Sequence, residues 1–238
     1  MDNAGYTSLG RQSGLLREMQ MVANNIANIS TNGFRKEGLV FAEYVHAMDG
    51  GDPSLSMAHA NVRATNQAQG PMTQTANPFD LAIEGPGFFL VETPDGNQLT
   101  RAGSFTPNAD GELVTTDGYR VLDVGSAPVF VPPDAKSVAI ASDGTVSTDG
   151  RPLAQIGIFT PADPAKIVRA GSAMFQTGDD LNTVSNPQII QGFLENSNVN
   201  PVLEIARMIE VQHAYELGQK LLDQEDERIR SVMQTLGR

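Results

Sequence analysis

Near the start of the chain, Leu15, Met19, Val22, Ile26 and Ile29 recur four and three residues apart, the spacing of the a/d seam of a short coiled coil. Such a seam is incomplete without a facing helix. Asn24 and Asn28 fall opposite it, with Asn25 flanking, so the far face carries amides where a free helix usually carries Lys and Glu. Amides are poor helix formers but hydrogen-bond in both directions. The pattern therefore predicts a helix clamped on two sides, and Asn32-Gly33, able to adopt the left-handed conformation, as its end. The residues before Gln12, with Gly5, Ser8 and Gly10, hold a helix poorly on their own.

The facing half lies at the other end of the chain. Asn200 suits an N-cap, Pro201 the first helical position, and Glu204 the positive end of the helix dipole. From Met208 onward, positions 208, 211, 215, 218, 222, 225, 229, 232 and 236 alternate three and four apart. Met208, Val211, Tyr215, Leu222, Ile229, Val232 and Leu236 fill seven of the nine. Gly218 permits a close backbone approach, and Glu225 either faces a polar partner or weakens the seam. The other face, with Glu210, Gln212, Glu216, Gln219, Lys220, Asp223, Glu227 and Arg228, reads as solvent or subunit contact. Two terminal helices of this kind are marginal as an isolated pair, so association is the expected source of their order.

Between the helices the material changes twice. Residues 34–48 read as one short strand or an extended arm, and 49–74, rich in Gly, Ser, Ala, Asn, Gln and Pro, as a connector without periodicity. From about Asn77 to Thr160, short runs of Val, Ile, Leu, Phe and Thr are punctuated by Asp-Gly at 95, 110, 117, 143 and 149. Asp-Gly suits tight hairpin turns, so this spacing predicts an antiparallel sheet or small barrel. Phe79 to Val91 reads as the opening hairpin, with Leu99 to Pro107 returning over it. Past Thr160, Pro161, Pro164, Gly171, Gly178 and Pro187 leave loops and one or two last strands.

Composition narrows the chemistry. A net charge of −12 with no cluster of Lys and Arg argues against a nucleic-acid surface. Cysteine is absent, so neither disulfides nor thiolate metal sites are expected. No basic region followed by an uninterrupted apolar run opens the chain, so no Sec-type signal peptide is expected, and no window reaches the length of a membrane span. His46, His59 and His213 lack zinc-ligand spacing. Asn108, Asp110, Gly111 and Asp117 partly mimic a calcium loop, but Thr106 replaces the first ligand and Asp117 the Glu. Gly85-Pro-Gly87 has no Lys-Ser/Thr after it and reads as a turn rather than a phosphate loop. Ser104 and Ser172 lack the second glycine of a nucleophile elbow. The expectation is no catalytic, cofactor or metal site.

Asn24-Asn25-Ile26-Ala27-Asn28 followed by Thr31, Gly33 and Phe34 resembles the N-terminal signature of the bacterial flagellar axial proteins, those of rod and hook. Gly85-x-Gly-Phe-Phe89, Thr100-Arg101 with Gly103-Ser-Phe105, Asp110-Gly111 with Leu113-Val114, and Asp117-Gly118 resemble the middle domain of the same family. Glu195-Asn-Ser-Asn-Val-Asn-Pro201 resembles the segment before its C-terminal helix. The resemblance covers most of the chain. It implies a structural, non-enzymatic subunit of the basal-body rod, polymerising through its terminal helices into a shaft that transmits torque. Its implied partners are copies of itself, other rod proteins and the flagellar type III export apparatus, with no nucleic acid, small-molecule substrate or membrane insertion. Export without a cleaved signal would place it in the periplasmic basal body, and Phe41-Ala-Glu-Tyr-Val45 resembles a short export motif of the group. The Met1-Asp-Asn start, Tyr6 and the modest length favour a proximal-rod subunit, with a distal-rod subunit as the alternative. From another class, a secreted carbohydrate-binding protein or enzyme would need a pocket with paired carboxylates or stacked aromatics.

The expected architecture is α+β. Residues 1–33 and 196–238 form a discontinuous helical coiled-coil domain, 34–76 an extended linker or arm, and 77–195 a central antiparallel β domain, barrel- or sandwich-like. The expected subunit interface comprises Leu15, Met19, Val22, Asn24, Asn25, Ile26, Asn28, Ile29, Met208, Val211, Tyr215, Leu222, Ile229, Val232 and Leu236.

Overall fold

The computed structural model describes residues 2–46, 55–171, 173–178 and 180–236, and the side chains within these except at 2–7, 40–63 and 236. The chain forms two compact units, one of residues 1–27, 37–66 and 200–238, the other of 28–36 and 67–199.

The first unit holds helix α1 (Asp2–Ala27), helix α2 (Pro201–Leu236) and a two-stranded hairpin of β1 (Glu37–His46) and β2 (Leu55–Thr65). α1 runs from Asp2 through its early glycines, where propensity alone predicts poor helix. It also stops earlier than the apolar spacing predicts, two residues short of Ile29. There the Thr31 amide donates to the Asn28 carbonyl (3.2 Å), the Phe34 amide to that of Thr31 (3.2 Å), and the Thr31 hydroxyl to Asn28 Oδ1 (3.1 Å). Side-chain bonding of this kind competes with continued helix. Gly33, at φ +69°, takes the expected left-handed conformation.

Within 34–76, read as an extended linker or arm with one short strand before residue 49, the described residues hold this hairpin. β1 and β2 pair antiparallel from Glu37↔Thr65 to His46↔Leu55, with a bulge between Val40 and Phe41. Ala, Ser and Asn in β2 give little hydrophobic period, but the backbone ladder is indifferent to side-chain type. The Phe41–Val45 run lies on the β1 backbone. Its side chains are outside the described residues.

The second unit is sheet-rich and mostly antiparallel. Its largest sheet runs in the order Val168–Arg169, Met174–Gln176, Gly96–Thr100, Phe88–Thr93, Arg120–Val121, Leu113–Thr115 and Phe105–Pro107, with Ile158–Pro161 bridging Phe88–Thr93 to Leu181–Thr183. It does not close into a barrel, so the barrel expectation fails. All five Asp-Gly pairs sit in turns between antiparallel strands, and each glycine has positive φ, from +78° to +104°. Only at Asp149-Gly150 do both residues enter that region.

The supposed opening hairpin does not form. Leu81–Glu84 pairs with Gln188–Gln191, while Phe88–Thr93 joins the large sheet. The Gly85-Pro-Gly87 turn thus hands the chain from one sheet to another. Five strands follow Ile158–Pro161, not one or two. They are two to four residues long, too short for a period to show among the prolines and glycines.

The run Phe88-Phe-Leu-Val91 is buried on both faces, as a continuous apolar strand should be. Phe89 and Val91 face a core with Leu81, Ile83, Phe105 and Val121, whereas Phe88 and Leu90 face a second cluster with Leu99, Phe159 and Phe175. Gly103 closes the first core against Leu81. A Cβ there would stand 1.7 Å from the Leu81 carbonyl oxygen, while the Leu81 amide donates to the Gly103 carbonyl at 2.9 Å, so the two segments cannot separate without losing that bond.

Gly103→Ala is therefore expected to destabilise the protein by about 3 kcal/mol through overpacking. Gly85→Ala, at φ +91° with open space around its Cβ position, should cost only about 1–2 kcal/mol of backbone strain. Urea unfolding followed by circular dichroism checks the order of the two.

Candidate subunit-contact site

α1 and α2 pack antiparallel in the first unit, as the partners show: Gln12 Nε2 donates to the Tyr215 carbonyl (3.0 Å), Arg207 bonds Glu18 (2.7 Å through Nε), and Asn25 Nδ2 donates to Glu204 Oε2 (3.1 Å). The Arg207 pKa is raised, chiefly by its bond to Glu18. What approaches Gly218 is a side chain and not the expected backbone: Gln12 lies over it, with Nε2 2.3 Å from where a Cβ would be. Val22 and Val211 are buried. Leu15, Met19, Ile26, Met208, Tyr215 and Leu222 are half-buried, Ile229 and Val232 are exposed, and the side chain of Leu236 lies outside the described residues. The covered face of α1 is turned from the predicted seam toward Glu18, Met21, Val22 and Asn25. Ile29 is half-buried in the turn after the helix, within the second unit.

Asn25 is central rather than flanking. Fully buried, it donates from Nδ2 to the Glu37 carbonyl (2.9 Å) and accepts the Glu37 amide on Oδ1 (3.0 Å), besides reaching Glu204. One amide side chain thus imitates a strand partner for the first residue of β1. Asn24 donates to Glu37 Oε2 at 3.4 Å, and Asn28 is engaged in the Thr31 turn. The three asparagines make bonds inside the chain. At the start of α2, Asn200 Oδ1 accepts the Val202 and Leu203 amides (3.1 and 3.2 Å), the expected N-cap.

The outer side of α2 is less polar than the sequence reading has it. Val202, Ile205, Ile209, Leu217 and Leu221 are 48–75% exposed, interleaved with Glu210, Gln212, Glu216 and Lys220. Hydrophobic spacing alone could have found this second stripe, but the stricter three-four alternation of the inner seam hides it.

In the second unit, residues 28–36 are gripped by buried charge that the sequence reading did not single out. Glu195 is 1% exposed; its carboxylate meets Arg35 at 2.9 Å, Arg101 at 3.2 Å and the Gly70 amide at 2.9 Å. Burial lowers the pKa of both guanidiniums, Glu195 pulling the other way, and that of Arg101 falls to about 10. Phe34 is fully buried under the Arg169 guanidinium, 4.4 Å from its ring centre. A cavity of about 350 Å³ nearby is walled by Gln67, Gln69, Pro86, Phe88, Pro161 and Ile167, with Arg101 as its one charged residue. It has neither paired carboxylates nor stacked aromatics. No group of three or more metal-capable side chains occurs, and no helix is long and apolar enough to cross a membrane, among the described residues.

Three families match separate stretches: "Flagella basal body rod protein" over residues 6–35, "Flagellar hook protein FlgE/F/G D1 domain" over 82–148, and "Flagellar basal body rod FlgEFG protein C-terminal" over 190–235. The chain is 41% identical to the flagellar basal-body rod protein FlgF of Caulobacter vibrioides and 35% identical to that of Mesorhizobium japonicum, each over 100% of this chain and 99% of the relative. It is 31% identical to FlgG of Bacillus subtilis over 96% of this chain and 97% of that one. The chain belongs to the flagellar basal-body rod protein family.

It is accordingly a structural subunit of the rod, in the basal body, assembled with other rod proteins. The family's N-terminal stretch, 6–35, contains Asn25, the Asn28 turn, Gly33, Phe34 and Arg35. Its C-terminal stretch, 190–235, contains their partners Glu195, Asn198 and Glu204. The two matched ends of this rod subunit therefore bind each other within each unit.

Asn25→Ala should strand the buried Glu37 amide and carbonyl at about 1–3 kcal/mol for each group left unpaired. Asn24→Ala, at a half-buried site with a long bond, should stay within about 0.5 kcal/mol. Thermal melting of the purified subunit distinguishes the two, and equal losses would contradict this assignment of roles.

Proposed function

We propose that this rod subunit polymerises with copies of itself and with neighbouring rod subunits through α1 and α2, in the proximal part of the rod. The observation that carries the reading is the pair of apolar faces on α2. One is covered by α1 within the chain; the other, from Val202 to Leu221, is open. A helix apolar on two sides is stable when both are buried, and a helical shaft supplies the second cover in every copy. The inner residues then fix the pair, as a short coiled coil, and the outer ones join subunits. The interface residues named from the sequence divide accordingly: Val22, Asn25 and Val211 serve the pair, whereas Ile229 and Val232, exposed past the region α1 covers, join the contact set.

The β-rich unit stiffens a shaft that transmits torque and turns over no substrate. Export through the flagellar type III apparatus without a cleaved signal is part of the same reading, with Phe41–Val45 as the motif. A distal-rod position is the second reading, with FlgG as the distal-rod member of the family resemblance, and the near full-length likeness to FlgG favours it. In the same resemblance FlgF is the proximal-rod member, and the full-length likeness to FlgF supports the proximal reading.

Ile209→Asp puts a charge on the open face, where it is solvated in the monomer and buried in the assembly. Expected are an unchanged melting curve for the purified subunit, within about 0.5 kcal/mol, loss of the subunit from isolated basal bodies, and poor spreading in soft agar. Normal incorporation and swimming would exclude this face as the contact.

A further inference from the structure

The chain passes between its two units four times, after Ala27, Lys36, Asn66 and Val199. On the β-rich side, the segments that lead to those passages are 28–36, the residues following 66, and the residues preceding 200. All three meet at Glu195. Its carbonyl accepts the Gly33 amide at 2.7 Å, and its Oε1 holds both Arg35 and the Gly70 amide. Cross-bonds bind the segments to one another. Arg35 donates to the Ala68 carbonyl, as does Asn198 Nδ2 at 2.7 Å, and Asn198 Oδ1 accepts the Lys36 amide at 2.6 Å. Gly70 packs so tightly on Asn196 that a Cβ would lie 2.0 Å from its carbonyl oxygen. Arg101 anchors the cluster to the sheet, donating to the carbonyls of Ile83 (3.2 Å) and Gly85 (2.5 Å) as well as to Glu195.

Two guanidiniums on one buried carboxylate leave a net positive charge inside, and the Nε atoms of Arg35 and Arg101 have no hydrogen-bond partner. As a source of stability that arrangement is poor, since apolar residues of similar volume usually do as well or better. Its specific product is geometry, because the planar forks of arginine fix both direction and distance. We propose that Glu195 is a positioning residue which, through Arg35, Gly70 and Arg101, clamps the three connecting segments into one body with the β sheet. The clamp goes beyond assembly through the helices and does not depend on it.

Hydrogen exchange on the purified full-length chain tests this. Arg35→Met leaves Arg101 and Glu195 as a neutral pair, so the fold is retained. Exchange at Gly33–Lys36 and Ala68–Gly70 should then rise tenfold or more, while Phe89–Val91 in the core stays within twofold of the parent. Glu195→Gln should extend the release to 196–199. Phe89→Ala, a core lesion, serves as the contrast and should raise exchange in core and segments together. If Arg35→Met changes nothing, or raises core and segments alike, Glu195 is not a clamp and the proposal fails.

Discussion

Buried polar groups far apart in sequence have to find one another before either unit of this subunit is complete. Asn25 meets Glu204, and Arg35 and Arg101 meet Glu195, and each would be costly to bury alone. Apolar burial is tolerant of register and partner, whereas these contacts are not. The chain returns to its first unit at Glu37 and, for its last helix, only at Asn200, so the pairing of α1 with α2 is tied to a loop closure spanning most of its length. That constraint explains why the ends carry the most specific motifs: residues that need not be unusual for a helix have to be so for a helix that depends on a distant partner.

The signature near the start follows from this geometry residue by residue. Asn25 has the donor and acceptor that pair both backbone groups of Glu37, which neither Asp nor Ala offers. Asn28 and Thr31 end the helix, and Gly33 passes where a Cβ would sit 2.3 Å from the backbone of Arg101 and Ala102. Phe34 fills the space under Arg169, and Arg35 reaches Glu195. The motif therefore serves two units in turn, with its helical half in one and its turn in the other.

Much of the fold was legible in the sequence, for reasons that are local. The five Asp-Gly turns, the N-cap at Asn200 and the left-handed Gly33 all declare themselves within a few residues. What was hidden depends on pairing at a distance. β2 has little hydrophobic period and is defined by its pairing with β1, and Leu81–Glu84 pairs with Gln188–Gln191 and not with its neighbour. The short strands after Ile158–Pro161 are defined by the sheets they join. The same limit applies to the site. On α2 the partly or fully covered positions Met208, Val211, Tyr215 and Leu222 follow the three-four spacing, but the buried roles of Gln12, Glu18 and Glu195 were not readable, since a polar or charged residue in a helix or at the end of a strand looks like a solvated one until its partner is known.

The inner seam is also less apolar than its spacing suggests, and this bears on how a subunit can be both stable and ready to assemble. Gln12, Glu18, Asn25 and Glu204 occupy buried places between the helices, where apolar residues would give a stronger pair. Polar contacts fix one register at some cost in stability. The pair is thus well defined in geometry yet modest in strength, and its outer apolar stripe remains exposed. On the proposed assembly through the outer stripe, buried amides and carboxylates inside and open aliphatic residues outside let each subunit present that stripe in one fixed register.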